Sequence, residues 1–333
     1  MPEPLRLDRP AYLGLDREAR WADLLAEGIA RYGAHYAGSR RAAYCPDVYE
    51  VCETALATFT ATPAACLLSS ATLAAVLTLD VLRERRFTVL VGPLAHAAWR
   101  RRGSVAEFDD EEAWRRRAAR LLSAGQSVAL VTDRVDAIGA RASDLSWLAQ
   151  LGAGRGRLLV LVDDSHALGA LDDGRGSYAT LRGSLPAEVD LLTVASLGKA
   201  FSSPGALVAG APWAVRALVD STGFAGASPL PPAYAFALLR GATVQGEVGF
   251  FAERLRLLRE QVAQLEALGL RGSHVAGHPV FRLTDERQVS LLRAADVVLS
   301  ELVYPGPPGP PAVRLVARAG VEGAVARVAG ALN

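Results

Sequence analysis

The chain has 333 residues, 51% of them apolar and 21% charged, which suits about two domains with well-filled cores and argues against disorder. Acids and bases are interspersed and nearly cancel to a net charge of +1, which argues against a dedicated nucleic-acid or membrane-surface protein. No apolar run approaches the ~20 residues that cross a bilayer, and the start, MPEPLRLDRP, has no apolar signal region, so a soluble cytoplasmic protein is expected.

From Pro46 to about Gly241, short apolar runs alternate with helical patterns, the signature of βαβ units around a mainly parallel sheet. The spacing predicts strands over Ala65–Leu68, Thr88–Val91, Val128–Val131, Leu158–Val162, Leu191–Val194 and Ala206–Ala209. Their near-continuous apolar character fits strands covered on both faces. Helices are predicted over Ala71–Glu84, Glu111–Ala124 and Asp144–Leu151. After Gly246 the pattern changes. It predicts a long amphipathic helix over Phe250–Leu268, a strand over His278–Leu283 and a helix over Gln288–Leu302. A strand over Val313–Ala317 and a helix over Val321–Leu332 follow. The expected division is a large domain over residues 46–245 and a smaller α+β domain built from 1–45 and 246–333. Gly306–Pro311 (GPPGPP) reads as a stiff loop.

Metal chemistry has little support. Cys45, Cys52 and Cys66 show no C-x-x-C spacing, so neither a disulfide framework nor a zinc knuckle is expected. His274 and His278 are four apart, but Gly277 and Pro279 argue against a helix that would bring both to one metal, and both read as loop residues.

One feature of the composition points to chemistry. Of 36 basic residues only Lys199 is lysine, in a chain whose Ala, Gly, Pro and Arg content suggests GC-rich codons. Arginine serves surface charge as well as lysine does, but only a primary amine of lowered pKa is a nucleophile that can form a Schiff base. Ligands of open α/β sheets bind beyond the carboxyl ends of the strands. There the sequence places Ser69–Thr72 at a helix N-terminus suited to an anion, then His96, Asp133, the run Asp163-Asp164-Ser165-His166, and finally Ser196 and Lys199. Ser70 also reads as an ordinary N-cap. Such a set could hold an aldehyde cofactor as an imine, with an acid on its pyridine nitrogen and histidines at its ring and phenolic oxygen. That describes pyridoxal 5′-phosphate.

Leu161–Gly176 (LVDDSHALGALDDGRG) and Asp190–Gly210 (DLLTVASLGKAFSSPGALVAG) resemble the two central motifs of the α-oxoamine synthases, fold-type I pyridoxal phosphate enzymes. The resemblance extends in chain order to Tyr12–Leu15, Arg31–Gly33, Gly38–Arg40, Pro231-Pro232 and Arg314-Leu315. It implies a mainly parallel seven-stranded sheet between helices plus a smaller α+β domain. It further implies that Lys199 carries the cofactor as an internal aldimine, Asp163 pairs with the pyridine nitrogen, His166 lies near the phenolic oxygen and His96 stacks on the ring. The phosphate would be held by Ser70, Ala71, Thr72 and Ser196, with Ser228 reaching it from the other subunit of a homodimer, and Arg314 would grip an amino-acid carboxylate. The implied reaction is decarboxylating condensation of an amino acid with an acyl-CoA or acyl-carrier thioester, as in 8-amino-7-oxononanoate synthases. Three family motifs differ: Pro10-Ala11 stands where an Asn-Asp is usual, Ala71 and Ala75 replace the Gly and Asn of the phosphate turn, and a serine is lost within Thr132–Arg141. The cofactor half is kept and the acyl half altered, which leaves open another reaction on an amino acid (transamination, retro-aldol cleavage or decarboxylation) or a non-catalytic partner subunit.

Overall fold

The computed structural model describes residues 3–100, 105–151, 156–243, 249–302 and 311–332. In chain order, strand β1 (Leu5–Leu7) is followed by helices α1 (Ala19–Tyr32) and α2 (Val48–Phe59), then β2 (Ala65–Leu68), α3 (Ala71–Glu84) and β3 (Thr88–Val91). Next come β4 (Ala106–Glu107), α4 (Glu111–Ser123), β5 (Val128–Asp133), a small hairpin of β6 (Val135–Asp136) and β7 (Arg141–Ala142), and β8 (Leu158–Asp163). Helix α5 (Tyr178–Ser184), β9 (Asp190–Ser196), β10 (Ala206–Gly210), α6 (Pro212–Val219), α7 (Thr222–Gly226) and α8 (Pro232–Ala242) complete this part. The remainder is α9 (Phe250–Glu266), β11 (Gly272–His274), β12 (Val280–Leu283), α10 (Glu286–Ala294), β13 (Val297–Leu302), β14 (Ala312–Val316) and α11 (Ala324–Leu332).

Seven strands form one sheet in the order β2-β10-β9-β8-β5-β3-β4, and only β10 runs against its neighbours. Every residue of β5 and β8 is buried, because helices cover both faces. One face packs Leu77, Val81 and Leu82 of α3 and Val215 and Leu218 of α6 against the strands; the other packs Trp114, Leu121 and Leu122 of α4 with Tyr178 and Leu181 of α5. Local sequence explains the helix starts. Ser70 is extended and its side chain accepts the Leu73 N–H, and Asp110 caps α4 through the Ala113 N–H with Glu111 and Glu112 in the first turn.

A second, five-stranded sheet has the order β1-β13-β14-β12-β11. It joins the two ends of the chain, since β1 pairs in parallel with β13. Helix α1 lies against α8 instead, with Gly28 packed onto Ala233.

Two expected helices are corrected. Gln288–Leu302 is two elements: α10 ends at Ala294, Asp296 takes the left-handed φ of 56°, and the apolar run from Val297 leaves as β13. Helical spacing concealed a strand that pairs with β1, at the other end of the chain, and with the following strand β14. Asp144–Leu151 is a short 3-10 turn over Ser146–Gln150, where Asp144 accepts the Ser146 N–H and the Leu151 N–H closes on Leu148. Strands β1, β4 and β11 are too short for a period to register and were not foreseen. The change of pattern at Gly246 and Gly306–Pro310 of the GPPGPP loop lie outside the described residues.

Candidate active site

Strands β5, β8 and β9 are parallel neighbours whose carboxyl ends align: Asp133 faces Asp163 in register, and Asp163 faces Val194. Both carboxylates are buried. Asp163 Oδ1 accepts the Ser165 N–H at 3.0 Å and Oδ2 accepts the indole N–H of Trp99 at 2.8 Å. Asp133 Oδ1 accepts the backbone N–H of His96 at 2.8 Å. The turn His96–Trp99 after β3 is therefore tied to the two carboxylates at its two ends, with the imidazole of His96 exposed and accepting the Ala98 N–H at Nδ1 (3.0 Å).

Beyond β9, the Ser196 N–H donates to Ser165 Oγ (2.8 Å) and Ser196 Oγ accepts the Gly198 N–H (3.3 Å), a turn that delivers Lys199. Lys199 is half-buried, and among the described residues its amine has no hydrogen bond or ion pair. Burial lowers its pKa; the negative fields of Asp163 and Asp133 oppose that, and Arg314 adds to it. Burial raises the carboxyl of Asp133 well above the ordinary range, and the neighbouring Asp163 raises it further. Although the His96 side chain is exposed at the surface of the turn, the protein around its base partly desolvates the ring and lowers its pKa, with Asp163 pulling the other way and Lys199 adding to the fall.

His166 is held by two residues from opposite ends of the chain. Tyr12 Oη lies 2.6 Å from His166 Nδ1, and His278 Nε2 donates to the His166 carbonyl at 2.8 Å. Tyr12 is fully buried and burial pushes its phenol up, so the hydroxyl keeps its proton; among the described residues His166 Nδ1 is the acceptor within its reach, and the tautomer that satisfies both groups has Tyr12 Oη donating to Nδ1. Burial drives His166 well below the usual histidine range, with Lys199 the next contributor. A neutral ring whose Nδ1 accepts carries its proton on Nε2. His278 is fully buried and its pKa falls to about 4, burial being the main cause.

The glycines of the segment after β8 have steric reasons. Gly169 has φ +78°, and a Cβ there would lie 2.3 Å from Ala200 Cβ, beside Lys199. Gly176 has φ +75°, and its Cβ would meet Asp164 Oδ2 at 2.5 Å. That carboxylate is buried, accepts the N–H and hydroxyl of Ser177, and is pushed up to about 6 by burial.

Arg314, in β14, is buried and donates to the Ala137 carbonyl (2.8 Å) and to Ser300 Oγ (3.0 Å). Its Nε has no partner, and among the described residues no carboxylate lies within ion-pair distance of it. A desolvated guanidinium without a counter-ion is suited to an anionic ligand.

Of the residues expected from sequence, Lys199, Asp163, His166, His96 and Arg314 share one electrostatic environment, each perturbed by another of the set or perturbing it. Ser70, Ala71 and Thr72 form the first turn of α3, beyond β2. Ser228 is exposed between α7 and α8 and hydrogen-bonds to none of the others within the chain. Tyr12, Trp99 and His278 were missed as site residues. The odd placement of an indole three residues after His96 was the one available signal for Trp99; the burial of His278 depends on long-range packing.

Comparison with known proteins shows the family and the fold. A family model described as aminotransferase class I and II matches residues 138–330. The 8-amino-7-oxononanoate synthase of Stutzerimonas stutzeri (strain A1501) is 30% identical over 312 residues, covering 89% of this chain and 78% of that protein. Among solved structures, an 8-amino-7-oxononanoate synthase from Francisella tularensis superposes with a TM-score of 0.72 at 19% identity over 99% of this chain and 96% of that one. A high-resolution structure of SPT with a pyridoxal phosphate internal aldimine gives 0.76 at 19% identity over 98% and 87%. The chain belongs to the aminotransferase class I and II family and has the architecture of the fold-type I pyridoxal phosphate enzymes.

Proposed function

We propose that the protein is a pyridoxal phosphate-dependent transferase that condenses an amino acid with an acyl thioester and releases carbon dioxide. The observation that carries the reading is a pair of basic groups without an ion pair among the described residues that act on each other from the two sheets: the amine of Lys199, past β9 and in the field of Asp163, and the buried guanidinium of Arg314 in β14. The donor set suits this cofactor. Lys199 offers the amine for an aldehyde, Asp163 an acceptor for a pyridinium, His166 Nε2 a proton for a phenolate, and His96 an exposed imidazole for the ring face. The N-terminus of α3 at Ser70, Ala71 and Thr72, together with Ser196, offers donors for a phosphate. Ser228 adds a hydroxyl from the second subunit of a homodimer. Among the described residues no helix is long and apolar enough to cross a membrane, which is consistent with a cytoplasmic enzyme. The proposed division is 46–245 as the cofactor domain and 1–45 with 246–333 as the smaller one, the two joined where α1 lies against α8.

When bound, pyridoxal phosphate supplies an electron sink for negative charge at the amino acid's α-carbon. Arg314 binds the carboxylate through its planar fork and fixes which α-substituent leaves. Lys199, its pKa lowered by burial, is the base that takes the α-proton at Nζ. The Tyr12–His166 pair holds a donor on Nε2, and the Asp163 carboxylate keeps a positive charge at the ring nitrogen favourable. The α-carbon then bonds to the thioester carbonyl carbon, the C–S bond breaks and the thiol leaves; the carboxylate departs as carbon dioxide, and the α-carbon regains a proton from Lys199 Nζ.

The test combines absorption spectra of the protein with pyridoxal phosphate, for wild type and Lys199→Ala, with mass analysis after borohydride reduction. A near-visible imine band absent from the variant, with the cofactor mass fixed on Lys199, supports the cofactor reading. Carbon dioxide release from an amino acid only when a thioester is present supports the condensation; release without it identifies a plain decarboxylase.

A further inference from the structure

We propose that Trp99 is a positioning residue of this site: its indole N–H fixes the Asp163 carboxylate and ties it to the turn that carries His96. The inference rests on the reading of Asp163 as the partner of the cofactor's ring nitrogen. Trp99 is fully buried in the core between the sheet and α3, where an indole N–H without an acceptor is costly. Its acceptor is Asp163 Oδ2, at 2.8 Å, while Oδ1 takes the Ser165 N–H. Two donors on two oxygens leave the carboxylate one plane and one rotamer. The opposite end of the same turn is pinned by Asp133, the register partner of Asp163, through the His96 N–H. The imidazole and the acid thus cannot move independently: a shift of the turn that carries His96 drags the Asp163 carboxylate through Trp99.

The bond also biases the proton beneath the ring. A charge-assisted donor favours the ionised carboxylate, so the shared proton stays on the ligand nitrogen. Without the indole N–H, Asp163 takes a larger share of that proton and the electron sink weakens. Trp99→Phe keeps the bulk of the ring and removes the donor; Trp99→His restores an N–H at reduced volume.

Two measurements decide the matter. In the protein without cofactor, the Trp99 indole N–H is expected to resonate downfield of the other indoles and to move upfield in Asp163→Asn. An unchanged indole signal in that variant overturns the hydrogen bond, whether or not the protein binds cofactor. With nitrogen-15-labelled pyridoxal phosphate bound, the ring nitrogen of wild type is expected to show the protonated shift across pH 6–9. In Trp99→Phe it is expected to move toward the unprotonated value, with kcat about ten-fold lower, KM nearly unchanged, and both restored in part by Trp99→His. A folded Trp99→Phe protein with the wild-type ring-nitrogen shift and pH profile reduces Trp99 to packing and overturns the proposal. Failure of wild type to bind pyridoxal phosphate overturns the reading of Asp163 and this proposal's second half with it, while the indole signal still reports on the first.

Discussion

His278 is the most direct test of how burial sets the electrostatics of this site. Its ring is fully buried, donates from Nε2 to the His166 carbonyl at 2.8 Å and accepts the Val280 N–H at Nδ1, so the fold fixes the neutral form. Its pKa falls from 6.5 to about 4. A histidine depressed on folding contributes stability that is present above its unfolded pKa and lost as pH falls toward the folded value. Between pH 7 and pH 5 the unfolded ring takes up a proton and the folded ring does not, which costs about 2 kcal/mol at 1.36 kcal/mol per unit. His278→Gln removes the titration and keeps an amide N–H to donate to His166. Urea unfolding at pH 7 and pH 5 is therefore expected to show wild type losing about 2 kcal/mol more than the variant. His166 is depressed in the same direction and is present in both proteins, so the difference isolates His278. Parallel losses in the two proteins would refute the argument that His278 is held neutral.

Other substitutions probe the remaining contacts. Tyr12→Phe removes the donor to His166 Nδ1, and histidine nitrogen-15 spectra are expected to change from a single Nε2–H tautomer to a mixture, with pyridoxal phosphate bound about ten-fold more weakly. A spectrum unchanged by the substitution would show that Tyr12 does not select the tautomer. Arg314→Lys keeps the charge and loses the fork; KM for the amino acid should rise about ten- to hundred-fold with the cofactor spectrum intact, as steady-state kinetics would reveal. Gly169→Ala places a Cβ against Ala200 at a positive φ and is expected to destabilise by at least 1–3 kcal/mol, read as a fall of several degrees in Tm. A stable Gly169→Ala protein would mean that the segment after β8 adjusts without disturbing the Lys199 turn.

The parts of the fold legible in the sequence are those specified locally. Ala65–Leu68, Thr88–Val91 and Ala71–Glu84 have the predicted bounds because a fully buried strand is apolar throughout and a capped, alanine-rich helix declares its start. Val128–Asp133 and Leu158–Asp163 run past their predicted ends into the acids themselves. Those acids extend the ladder because they are strand residues held by Trp99, His96 and Ser165, contacts that no local pattern announces. Leu5–Leu7 exists as a strand because it pairs with Val297–Leu299 across the whole chain, and the rest of that strand, Ser300–Leu302, pairs with β14. In the site, Lys199 and Asp163 were legible because strand ends collect ligand-binding groups. His278 was read both as a loop residue and as the start of a strand; it precedes β12, which begins at Val280, and packing against the segment after β8 buries it, whereas His274, also read as a loop residue, lies in β11.

The rarity of lysine acquires a physical meaning in this context. The ion pairs of the described surface are made by arginine, as in Arg20–Glu253, Arg41–Asp220 and Arg256–Glu260, where a permanently charged fork suffices. Arg254, Arg318 and Arg40 do the same at partly buried positions against Glu18, Asp16 and Glu53. Lys199 has no such pair, although Asp163 and Asp133 act on it from adjacent strands. An arginine there would remain charged and would close on a carboxylate, satisfying the site without any chemistry. A lysine whose charge is weakened by burial, with one nearby carboxylate held by Trp99 and the other engaged by His96, keeps its amine unclaimed. The same two acids that would neutralise a cation are occupied in orienting the turn beside them, and that occupation leaves the Lys199 amine without an ion pair, as the proposed role of nucleophile and base requires.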